Sequence, residues 1–123
     1  MITAMNKIFL TLLFCLAFLP AFSQDDYYIR KAESHTREAE FYRKKADGYR
    51  READYYMKKA AGYDKEAAYY LKKGDTYRAR TQQNYAKDAT DRARTQLRYA
   101  QEAEDKAAMY MKWAADAMDK ARM

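Results

Sequence analysis

Few residues in this chain could do chemistry. His35 is the only histidine, and Glu38 follows three positions later, a spacing that would set two metal ligands on one helical face. Cys15 is the only cysteine, so neither an internal disulfide nor a cysteine-based zinc site can form within one chain. One histidine is too few for a zinc centre, and His35 falls in a column of tyrosines, where it reads as a variant ring. No glycine-rich phosphate loop or nucleophile elbow occurs. Asp and Glu are scattered among Lys and Arg at helical spacing, and none lies in an apolar pocket that would shift a carboxyl pKa. The expectation is a non-enzymatic protein with no catalytic residues, no cofactor and no metal.

Binding chemistry has more to work with. The runs Tyr42-Arg43-Lys44-Lys45, Tyr56-Met57-Lys58-Lys59 and Tyr70-Leu71-Lys72-Lys73 recur every fourteen residues. On a helix they form a basic row beside aromatic rings, suited to phosphates, anionic polysaccharide or lipid head groups. Against this, 24 Lys plus Arg face 18 Asp plus Glu, for a net charge of +6, and the acids interrupt the cationic field. A further aromatic stripe comprises Tyr27, Phe41, Tyr55 and Tyr69, and then Tyr85, Tyr99 and Trp113. Ile29, Met57, Leu71, Leu97 and Met111 accompany it. These seven aromatics are the candidate interaction surface.

The elements that must position these residues begin after a leader. Asn6 and Lys7 precede an apolar run from Ile8 to Phe22, and Ala21-Phe22-Ser23 offers small residues around a cut before Gln24, the pattern of a cleaved secretory signal. The run is short for a membrane span of about 20 residues. Phe14 is too bulky before Cys15 for a lipidation box. Residues 1–23 are therefore expected to be removed, leaving 24–123 as the mature chain. Lys7 leaves with them, so 23 bases against 18 acids give +5.

The remaining hundred residues hold only Ile29, Leu71 and Leu97 as branched aliphatics, so an ordinary globular core is excluded. Cut from Asp25 in steps of fourteen, they form seven blocks ending at Arg122 without an insertion. Fourteen residues are two heptads, the coiled-coil period. Ala32, Ala39, Ala46, Ala53, Ala60 and Ala67 recur every seven positions and end in Gly74. Tyr28, His35, Tyr42, Tyr49, Tyr56, Tyr63, Tyr70 and Tyr77 form a second column. Beyond it Thr81, Asn84, Asp88 and Asp91 would make a poor dry seam. A new column, Ala79 to Ala121 in sevens, takes over.

Five residues separate Gly74 from Ala79, which rotates the seam by about 150°. A turn explains that jump better than a straight helix. Lys72-Lys73-Gly74-Asp75-Thr76 supplies terminal bases, a glycine stop and two N-cap candidates. Folding back there pairs residues whose numbers sum to about 149, Tyr70 with Ala79 and Tyr56 with Ala93 among them. Acid-to-base pairs four apart, such as Asp47 with Arg51 and Asp88 with Arg92, would support the helices.

The sequence thus predicts an all-α protein. It is a long antiparallel helical hairpin, a coiled coil with an Ala/Tyr heptad seam, with arms of about 25–73 and 76–122 and a turn at 74–75. The alternative is one continuous long helix in a parallel or antiparallel oligomer. Its expected role is an exported structural or protein-interaction module, a spacer or scaffold. It would self-associate or meet another helical protein in a periplasm, on a cell surface or outside the cell. The alternative role is a cationic, Tyr-rich helical module binding an anionic surface, such as cell-envelope polysaccharide, lipid head groups or nucleic acid, of which nucleic acid is the least expected partner for an exported chain.

Overall fold

A computed structural model of the chain describes residues 2–123, with side chains from Gln24 onward. Two helices, α1 (Ile2–Lys72) and α2 (Thr76–Arg122), make up the fold in a hairpin-like packing, and no strand occurs among the described residues. The chain folds back on itself and does not continue as one helix. The expected leader over residues 1–23, with its cleavage before Gln24, lies outside the residues whose side chains are described. Among the described residues no helix is long and apolar enough to cross a membrane.

The reversal is built at Gly74 and Asp75. Gly74 has φ +77°, a left-handed conformation that costs other residues dearly. Its N–H donates to the Leu71 carbonyl at 3.1 Å, and the Asp75 N–H donates to the Tyr70 carbonyl at 2.9 Å. This pair of bonds is the Schellman closure of a helix end. Asp75 then opens α2: its carboxylate accepts the Arg78 N–H at 3.1 Å, satisfying one of the free donors at a helix start. Tyr77, read from the sequence as the last ring of the seam column, is instead 81% exposed. It belongs to the first turn of α2, and the break at Gly74 rotates it away from the column of α1.

Contacts divide the chain into two compact units, Glu40–Ala107 around the turn and residues up to Ala39 with Ala108–Met123. In the turn unit, α1 buries Ala46, Ala53, Ala60 and Ala67, and α2 buries Ala79, Ala86, Ala93, Ala100 and Ala107 together with Ala89 and Ala103. Seven residues are nearly two helical turns, so each set lies on one face. The tyrosines stand level with partners across the seam. Tyr42 meets Lys106 (5.3 Å), Tyr56 meets Arg92 (5.8 Å) and Tyr70 meets Arg78 (5.7 Å). Tyr49 meets Tyr99 (5.5 Å) and Tyr63 meets Tyr85 (5.4 Å).

The expected alternation of small and large side chains in a dry seam is modified by this arrangement. Every buried residue among those described is an alanine, and the column tyrosines are half-buried. Alanine against alanine draws the backbones too close for a ring between them, so each ring lies along the edge of the seam. The terminal unit follows the same rule. Ala32, Ala39, Ala114 and Ala117 are buried, Lys120 stands over Tyr28 at 5.8 Å, and His35 packs on Trp113 at 5.6 Å.

Candidate interaction surface

The seven aromatics expected to form one surface separate into two groups. On α1 in the turn unit, Phe41, Tyr55 and Tyr69 are 52%, 52% and 50% exposed. Each meets its successor edge-on: Phe41 with Tyr42 at 5.3 Å, Tyr55 with Tyr56 at 5.4 Å, Tyr69 with Tyr70 at 5.4 Å. Each also carries the ammonium of a lysine four residues on, Lys45 at 5.2 Å, Lys59 at 5.0 Å and Lys73 at 4.6 Å. Residues four apart share a helical face, and the negative face of a ring attracts a cation. A side-chain hydrogen bond with Tyr55 raises the pKa of Lys59 above its ordinary value. In the terminal unit, Tyr27 repeats the device with Tyr28 at 5.3 Å and Lys31 at 5.7 Å.

The second group leans on the seam. Tyr85 and Tyr99 pack against the α1 rings Tyr63 and Tyr49, and Trp113 contacts His35 and, at 5.3 Å, Tyr110. These three are partly consumed in holding α2 to α1. His35 also lies 6.0 Å from Tyr110, so its ring is engaged in aromatic packing. Among the described residues, no group of three or more His, Cys, Asp or Glu side chains converges, and Glu38 is exposed.

Grooves line the seam. In the turn unit, Tyr56, Lys59, Tyr63, Tyr85, Asp88 and Arg92 bound an open groove of about 280 Å³, polar enough to hold water. A more apolar groove of about 510 Å³ in the terminal unit is walled by Ala32, Thr36, Met111, Ala114 and Met118. Across the turn unit, the Arg50 guanidinium bridges to the Glu104 carboxylate, and that hydrogen bond raises the pKa of Arg50. Asp47, expected to reach Arg51, pairs with Arg50 at 3.3 Å. No described buried side-chain polar atom lacks a hydrogen-bond partner.

Two features escaped the sequence reading. The lysine set over each outward ring was written in the sequence as an aromatic residue followed four later by Lys, at positions 27, 41, 55 and 69. The inter-helix Arg50–Glu104 bridge had no local signal, because it depends on the fold-back. The arrangement defines an all-α, two-helix protein with an alanine contact between its helices and periodic cation-capped rings outside. Comparison with protein families, with curated proteins and with solved structures finds no match for the chain.

Proposed function

We propose that this chain is an exported, non-enzymatic structural or protein-interaction module, a spacer or scaffold that works by associating with itself or another helical protein. In this reading its two helices form a coiled coil built from seven fourteen-residue repeats, and its place is the periplasm, the cell surface or the exterior. The observation that carries the proposal is where the side chains lie. Among the described residues the buried ones are all alanines, spent between α1 and α2, whereas Phe41, Tyr55, Met57, Tyr69 and Leu71 are left about half exposed. A seam of methyl groups buries little area, so association through the outward rings would add to the stability of each copy. Fractionation of the source cell followed by amino-terminal sequencing tests the export: an amino terminus at Gln24 outside the cytoplasm supports it, and an intact Met1 in the cytosol overturns it.

A second reading, binding to an anionic cell-envelope surface, is favoured by the lysines held over Phe41, Tyr55 and Tyr69, which offer charge and a stacking face together. Binding to anionic polysaccharide or vesicles that falls steeply with salt is the expected sign of it. Association that persists at high salt favours the scaffold.

A further inference from the structure

The outward faces of the two helices in the Glu40–Ala107 unit carry opposite charge. Arg51, Lys58, Lys65 and Lys72 each lie five residues past a buried alanine of α1, about 150° around the helix from the seam, and Lys44 begins the same row. No acid interrupts it. On α2 the corresponding outward face holds Asp88, Asp91, Glu102 and Asp105, all exposed, with Arg98 as its base. The borders reverse the signs: Glu40, Asp47 and Asp54 run beside the basic row of α1, and Arg80, Lys87 and Arg94 run beside the acidic row of α2.

Shape follows the same fourteen-residue period. The α1 face alternates the half-exposed rings Phe41, Tyr55 and Tyr69 with Gly48 and Gly62. A Cβ at either glycine would meet nothing within 4 Å, so no contact in this chain requires glycine there, although it is a poor residue inside a helix. The α2 face sets Thr81 and Thr95 at the same period. Their hydroxyls are already bonded to the Tyr77 and Asp91 carbonyls, at 3.2 and 3.1 Å, so neither hydroxyl proton is free for another partner.

We infer that the outward face of α1 docks against the outward face of α2 of a second copy of this chain. The inference rests on the self-association reading above and names its surfaces. Charge selects this pairing, since α1 against α1 sets base on base and α2 against α2 sets acid on acid. When two copies lie side by side in the same direction, residues whose numbers sum to about 150 come level. Tyr55 then covers Thr95 and Tyr69 covers Thr81, while Gly62 and Gly48 admit Asp88 and Glu102 beside the neighbouring lysines and arginine. The two faces differ, so the interface is heterologous: each copy keeps one face free for the next, and assembly continues past the dimer.

The test uses two charge-reversed full-length chains. One carries Lys44→Glu, Arg51→Glu, Lys58→Glu and Lys65→Glu; the other carries Asp88→Lys, Asp91→Lys, Glu102→Lys and Asp105→Lys. All eight positions are exposed, and circular dichroism checks that both variants remain helical. In sedimentation velocity at low salt, the unmodified chain is expected to grow beyond a dimer with concentration. Each variant alone is expected to remain a monomer, and an equimolar mixture to recover the large species. Self-association that survives in either variant alone, or that a mixture of two folded variants does not recover, overturns the docking while leaving self-association through another surface. A monomeric unmodified chain at every concentration overturns both readings. If that monomer binds a soluble polyanion such as heparin and the Lys/Arg→Glu variant does not, the α1 face belongs to an anionic ligand.

Discussion

Ala46 has no exposed surface and clusters with Ala100 and Ala103 of α2, with Tyr49 packed against them. Ala46→Leu adds three carbons where the helices touch. If space existed, burying them would stabilise the fold by about 2.4 kcal/mol at ~0.8 kcal/mol per carbon. The facing groups are methyls on a second backbone, so the added carbons must part the helices, displace Tyr49 or adopt a strained rotamer. Overpacking of this kind costs about 1 to 3 kcal/mol net. For a domain of this size, each kcal/mol moves the melting temperature by about 4 to 8 °C, so a fall of about 4 to 24 °C is expected. Far-ultraviolet circular dichroism melts at several protein concentrations would measure it and separate folding from association. Ala61→Leu, on the exposed side of the same helix, is the control, with a change within about 0.5 kcal/mol. A melting temperature for Ala46→Leu equal to or above that of the unmodified chain would refute the close alanine contact.

Three further outcomes follow from the structure. Gly74→Ala forces a side chain into a backbone with φ +77° and should cost about 1 to 2 kcal/mol in denaturant unfolding, whereas Gly48→Ala and Gly62→Ala, in open space, should each raise stability by about 0.5 to 1 kcal/mol. Asp75→Ala removes the acceptor for the Arg78 N–H and should cost about 1 kcal/mol, while Asp75→Asn retains most of it; the same unfolding curves decide. Glu104→Gln removes the carboxylate partner of Arg50. Both side chains remain partly exposed, so the resulting fall in melting temperature should be small and should vanish at high salt; a fall of equal size at low and high salt would contradict an ionic origin.

Much of the fold was legible because helical packing is periodic. A repeat of seven places Ala46, Ala53 and Ala60 on one face whatever surrounds them, and the shift to the Ala79 column demanded a change of direction. The candidate surface was less legible. Tyr55 and Tyr85 looked alike as exposed rings, yet Tyr55 faces outward under Lys59 and Tyr85 rests on Tyr63. One-dimensional spacing gives the angle of a residue around its own helix, but not which angle the second helix occupies.

That division marks what each level decided. The amino-acid sequence alone determined helix over strand, the absence of an ordinary aliphatic core and the membership of each side-chain column, because composition and local periodicity suffice for those properties. Tertiary structure decided that, among the described residues, alanines alone are buried and that the column tyrosines are edge residues, because the separation of two backbones is set jointly by both faces. It also decided that Arg50 meets Glu104, an encounter between residues far apart in the chain. Only when α1 and α2 lay against each other did their remaining faces become surfaces, one basic and ringed, the other acidic.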